Sequence, residues 1–125
     1  MEPAPIRCRI AACPENLGDG QGWSFHLFND GAATLELAVL HAVDGEWGDR
    51  SYPQATDVRV ENLAPGAHMR IWRDDGEFRT ELKLRVSSGG REAQLRFEFP
   101  KLYLQRRLQP IAGLERPGWE VRAEA

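Results

Sequence analysis

The chain has 125 residues, 42% of them apolar, and its 16 basic and 19 acidic side chains leave a formal charge of −3 at pH 7. A domain of this length buries roughly two-thirds of its unfolded surface and folds without disulfide or metal staples, so residues 1–125 are expected to form a single domain. The slight acidic excess has the wrong sign for binding a phosphate backbone, which excludes nucleic acid as the default partner.

Met1-Glu2-Pro3-Ala4-Pro5 carries neither a basic region nor an apolar one after it, and no apolar run approaches the roughly 18 residues of a membrane span. The expectation is a cytoplasmic chain with no membrane partner. From Ile6 to Ile10, apolar and charged residues alternate as in a half-buried strand, which Pro14 and the run Gly18-Asp19-Gly20-Gln21-Gly22 then break into a long turn. A strand through Cys8 sets it on the face opposite Cys13 and up to about 16 Å away, so both are expected as reduced thiols. Two cysteines do not complete a four-ligand zinc site, and no Cys or His partners stand at finger-like spacing.

Trp23, Phe25 and Leu27 share one face of a second strand, and Asn29-Asp30-Gly31 follows as a tight-turn signal. The reading is a hairpin whose partner, Ala33 to Leu40, turns Leu35, Leu37 and Val39 inward. The breaker-rich segment from Asp44 to Pro53 reads as a loop carrying Trp47 and Tyr52. Alternation resumes over Asp57 to Glu61, passes the Leu63-Ala64-Pro65-Gly66 corner, and continues with Ala67, Met69 and Ile71 inward and His68, Arg70 and Trp72 outward. The strictest pattern comes next. Phe78, Thr80, Leu82, Leu84 and Val86 face one way, Glu77 to Arg85 at odd positions the other, and Ser87-Ser88-Gly89-Gly90 turns the chain into Ala93, Leu95, Phe97 and Phe99. The opposite face carries charges of both signs and reads as solvated. After Pro100 the pattern fits either a short helix near 101–108 or an edge strand, and Trp119 to Ala123 alternates as a last strand.

Seven to nine short strands with almost no helical periodicity imply an all-β fold, an antiparallel sandwich or jelly roll. The Leu-x-Pro-Gly corner between alternating strands, preceded by Asn29-Asp30-Gly31-Ala32-Ala33 and the Leu35-x-Leu37-x-Val39 strand, resembles the immunoglobulin-like modules of bacterial CARDB type and, more distantly, fibronectin type III. The resemblance spans Phe25 to Val86 and implies an immunoglobulin-like β-sandwich in which the corner leads into a strand packing back across the sandwich. Met69 occupies the place of the fibronectin corner tyrosine. The modules of this family recur in tandem on secreted chains, whereas this chain carries a single copy.

Candidate sites are sparse. His68 after its corner is similar to the histidines of cupin jelly rolls, which implies a small metal-dependent enzyme around His26, His41 and His68 as one alternative; none of the three forms a His-x-His pair, so no metal ligand is assigned. Asp44, Glu46 and Asp49 crowd a glycine-containing segment without EF-hand spacing. No Gly-x-Ser-x-Gly elbow or phosphate-cradling motif occurs in its required context, so no catalytic residue and no cofactor are assigned. Trp47, Tyr52 and Trp72, in a loop or in outward registers, have the composition of interface hot spots or of sugar-stacking platforms. With Leu102, Tyr103, Leu104 and Leu108 they are the interaction candidates. The expected function is a non-catalytic interaction or assembly module that binds a protein chain, itself in a homo-oligomer or a heterologous one, through sheet edges and the 101–108 segment. Deleting residues 101–109 would then abolish association and leave a folded monomer. The second class is a carbohydrate- or small-ligand-binding sandwich.

Overall fold

The alternating pattern folds into two antiparallel sheets packed face to face. The computed structural model describes residues 4–16 and 21–125, so Gly18, Asp19 and Gly20 of the expected long turn lie outside the described residues. The strands are β1 (Arg7–Asn16), β2 (Gln21–Asn29), β3 (Leu35–Trp47), β4 (Arg50–Leu63), β5 (His68–Asp74), β6 (Arg79–Ser88), β7 (Arg91–Phe99), β8 (Gln109–Ile111) and β9 (Arg116–Glu124). A five-stranded sheet has the order β5-β2-β1-β9-β8, and a four-stranded sheet the order β4-β3-β6-β7. The fold is an all-β antiparallel sandwich. Its one helical feature among the described residues is a single 3-10 turn at Leu102–Leu104.

Ile10, Phe25 and Leu27 of the five-stranded sheet share one apolar cluster with Leu40, Leu82, Leu84 and Phe97 of the other. The β6–β7 hairpin follows the sequence pattern: Thr80, Leu82, Leu84 and Val86 are buried, and Gly89 and Gly90, both at positive φ, form the two-residue turn between Ser88 and Arg91. On the outer face the Glu81 carboxylate meets Arg96 at 2.9 Å, and Lys83 meets Asp44 at 2.9 Å.

Five expectations are corrected. β1 does not stop before Pro14. Its pairing with β9 ends at Ala12, so the imine nitrogen of Pro14 falls where no ladder bond is required. β2 and β3 are not a hairpin, because they lie in different sheets. The segment Asp44 to Pro53 is not a loop. β3 and β4 run through it in register as far as Trp47 opposite Arg50. The inward set of β3 is Leu35, Ala38, Leu40 and Val43 rather than Leu35, Leu37 and Val39, and a bulge at His41 shifts the parity between Leu40 and Val43. A similar irregularity in β5, opposite the Phe25/His26 step, places both Ile71 and Trp72 against the core, whereas Met69, opposite Leu27, keeps its expected core-facing register but is 51% exposed on this edge strand.

Two of the four crossings between the sheets are tied by one buried residue. At the Pro65-Gly66 corner the Ala67 N–H donates to the Ala64 carbonyl at 3.0 Å, and Gly66 takes φ 80°, a value that suits glycine. Gly66 N–H donates to the Asn29 carbonyl at 2.8 Å. The Asn29 amide donates to the carbonyls of Leu63 and Ala33, each at 2.9 Å, while its Oδ1 accepts from Gly31 N–H at 2.9 Å. The turn from β2 to β3 and the corner from β4 to β5 are therefore fixed to each other.

Candidate functional site

Three segments meet at the end of the sandwich remote from this corner. The first is the β3–β4 hairpin tip, turned by Gly48 at φ 63°. The second is the turn between β5 and β6. There the Asp74 carboxylate accepts from Gly76 N–H at 2.8 Å and the Asp75 carboxylate from Glu77 N–H at 3.1 Å, the local bonding that aspartates bring to turns. Gly76 sits at φ 73°, and a Cβ there would stand 2.6 Å from the Trp23 ring, so only glycine fits. The third segment is the 3-10 turn, whose Tyr103 N–H donates to the Gly76 carbonyl at 3.4 Å.

Phe78 is the centre of this end. Its ring stands 5.5 Å from Tyr52 and 6.0 Å from Trp47, at interplanar angles of 59° and 75°. Gly45 passes beside Phe78, where a Cβ would stand at an ordinary van der Waals contact of 3.5 Å from that side chain. The Lys101 ammonium lies 4.0 Å from the centroid of Trp47. Between the sheets a cleft of about 310 Å³ opens, walled by Tyr52, Trp72 and Phe78 and bordered by Gln54, Thr80, Asp74 and Asp75.

The electrostatics of the cleft are set by its two aspartates. Burial pushes the Asp74 carboxyl above the ordinary range, although the Gly76 N–H and the nearby Trp72 indole oppose the shift. The Trp72 Nε1 is itself buried, and no acceptor stands in hydrogen-bonding geometry to it among the described residues. Asp74 and Asp75 enter no ion pair among the described residues.

Trp47, Tyr52, Trp72, Leu102, Tyr103 and Leu104 thus come to one end, but not all as surface. Leu102 is 1% exposed and belongs to the core, and Leu108 packs half-buried against it. Trp72 is half-buried rather than outward. Deleting residues 101–109 would therefore open the core, and the expectation of a folded monomer after that deletion does not hold. Tyr103 and Leu104 remain exposed, as do Trp47 and Tyr52. Phe78, Asp74 and Asp75 were not among the sequence candidates. The Asp74-Asp75-Gly76 turn, bracketed by Trp72 and Phe78, was the available signal.

The histidines do not converge. His26 and His68 are neighbours on the outer face of the five-stranded sheet, with ring centroids 5.8 Å apart, and His26 Nε2 shares a 3.1 Å hydrogen bond with Ser24 Oγ. Burial, then the charges of His68 and Arg116, push the His26 imidazole below its ordinary pKa. His41 lies on the other sheet, where it bonds Gln94 at 3.2 Å. Among the described residues no group of three or more His, Cys, Asp or Glu side chains is placed to hold a metal ion. Asp44 is engaged by Lys83 in a strand rather than in a calcium-type loop.

Cys8 and Cys13 are both free and buried, Cys8 in the main core and Cys13 in a second apolar cluster on the other side of the sheet. In that cluster Ile111 and Leu114 cover Ala11, Cys13 and Phe28. Burial, with Asp30 adding to it, raises the Cys8 thiol to about 12, and burial raises Cys13 as well. Thiolate chemistry is disfavoured at both.

Comparison with models of known protein families and with curated proteins finds no match for this chain. Among the described residues no helix is long and apolar enough to cross a membrane.

Proposed function

We propose that the chain is a non-catalytic, immunoglobulin-like interaction module that engages another protein at the aromatic end of its sandwich. The order β4-β3-β6-β7 parallels the C′-C-F-G order of immunoglobulin-type sheets, and β1-β2-β5 parallels A-B-E, which supports the family reading. β8 and β9 extend the second sheet beyond that plan.

One observation carries the functional reading. Of the five large apolar side chains exposed among the described residues, Trp47, Tyr52, Tyr103 and Leu104 stand on two of the three segments that meet at this end, the β3–β4 hairpin and the 3-10 turn, and Met69 lies elsewhere. Scattered exposed apolar residues are ordinary, but a cluster rich in Trp and Tyr beside a cleft has the composition of a binding hot spot. The long edge strand β4 borders the same end and offers unpaired backbone groups to an incoming strand.

The test is the assembly size of the native chain and of a Trp47→Ser/Leu104→Ser variant in extracts of the source cells. The wild type is expected in an assembly larger than its 14.1 kDa, and the variant as a monomer. Sedimentation of the purified chain decides whether the partner is a second copy. A wild type that runs as a free monomer in extract and at high concentration overturns the reading.

A further inference from the structure

The walls and border of the cleft differ in kind. Its walls are the rings of Tyr52, Trp72 and Phe78, and among the described residues the only charged groups bordering it are Asp74 and Asp75. An electron-rich ring face attracts a cation, and burial of a carboxylate without a counter-charge is costly. The protein already makes such a contact one residue cluster away, where the Lys101 ammonium covers Trp47 at 4.0 Å. No cation of the chain does the same for Tyr52, Trp72 or Phe78 among the described residues.

Ring orientation separates this site from a sugar platform. A pyranose stacks on a flat aromatic face, whereas the cleft walls Tyr52 and Phe78 meet at 59°. Inclined rings make the walls of a cage, and aromatic cages recognise alkylammonium groups. A volume of about 310 Å³ is sufficient for the head and stem of one basic side chain.

We propose that the cleft between Tyr52, Trp72 and Phe78 receives a lysine or arginine side chain of the partner protein, with the carboxylates of Asp74 and Asp75 as its counter-charge. This deepens the interaction reading above and rests on it. The partner's apolar residues cover Tyr103 and Leu104 on the rim, and its basic side chain sets the register by entering the cleft.

The probe is the tripeptide Ac-Gly-Lys-Gly-amide, with Ac-Gly-Arg-Gly-amide beside it and Ac-Gly-norleucine-Gly-amide as the neutral control. Binding to the intact chain is read from the indole N–H resonance of Trp72 by NMR. The basic peptides are expected to bind at least about tenfold more tightly than the norleucine peptide, a gap equivalent to about 1.4 kcal/mol. Added salt should narrow that gap. Asp74→Asn should remove most of it while keeping the acceptor for Gly76 N–H, so that the fold persists, as its thermal transition will report. Equal binding of the lysine and norleucine peptides overturns the cation site and leaves the interaction reading standing. So does tighter binding of a neutral oligosaccharide than of either basic peptide. Failure of all three peptides overturns the cleft as the anchor, and the assembly-size experiment then shows independently whether the interaction reading falls with it.

Discussion

The ring of Phe78 stands 5.5 Å from that of Tyr52. Through this contact the tip of the β3–β4 hairpin, which belongs to one edge of the four-stranded sheet, is held against the turn that arrives from the opposite sheet. The shape of the cleft depends on it.

Phe78→Ala removes the partner of both Tyr52 and Trp47. Because Phe78 is half-buried, a loss of about 2–4 kcal/mol is expected, at or below the range for core phenylalanines. Urea denaturation measures it, and the peptide-induced shift of Trp72 should vanish in the same variant. A loss under about 0.5 kcal/mol, within the usual range of a surface substitution, would mean that Phe78 does not organise this end.

Asn29→Ala takes away three hydrogen bonds, among them the buried amide donor to the Leu63 carbonyl. The expected cost is about 2–4 kcal/mol, because losing a buried bond costs more than losing an exposed one. Asn29→Asp keeps the acceptor for Gly31 but not the donors, and should be destabilised as well. Guanidinium chloride unfolding of the two variants checks this, and an unchanged midpoint in either would contradict the tie between the two crossings.

The Asp74 carboxyl holds its proton more tightly in the folded chain than its ordinary value of 3.8, since burial raises it. That preference favours folding below pH 3.8 and is lost as the pH rises through the raised value. Asp74→Asn should therefore raise the melting temperature at pH 7, and the gain should shrink as the pH falls through the raised value toward 3.8 and be gone below it. A side chain that weakens the free protein yet is needed for binding is what a functional role predicts. A variant less stable than wild type at pH 7 would instead make Asp74 a structural residue.

Much of this architecture was readable before the structure, and the exceptions have identifiable causes. β6 and β7 alternate strictly and share a Gly-Gly turn, so their faces follow from the period alone. β3 misleads because apolar residues fill both of its faces and a bulge at His41 changes parity. β5 misleads for a related reason at Ile71, which is why Trp72 packs inward, and Met69, on the core-facing side opposite Leu27, stays exposed because β5 is an edge strand. Asn29-Asp30-Gly31 has the composition of a hairpin turn, and what makes it a sheet crossing is a bond to Leu63, 34 residues away. For the site, the exposed aromatics were visible as loop and outward positions. Their convergence with Asp74, Asp75 and Phe78 depends on three turns meeting in space, which no local pattern encodes.

The buried thiols offer a further check on the core. With Cys8 raised to about 12 and Cys13 raised as well, neither should react with Ellman's reagent in the native chain at pH 8 on the timescale of free cysteine. Both should react rapidly in denaturant. Fast labelling of either one in the native state would show that its cover, Ile111 and Leu114 in the case of Cys13, opens readily.

The most direct measurement compares two matched exposed positions. A photo-crosslinking phenylalanine derivative is placed at Leu104, 56% exposed at the aromatic end, or at Met69, 51% exposed toward the other end of β5, and the chain is irradiated in the source cells. The interaction account predicts a discrete crosslinked protein product from position 104 and little or none from position 69. Equal yields from both, or a product from position 69 alone, would contradict it.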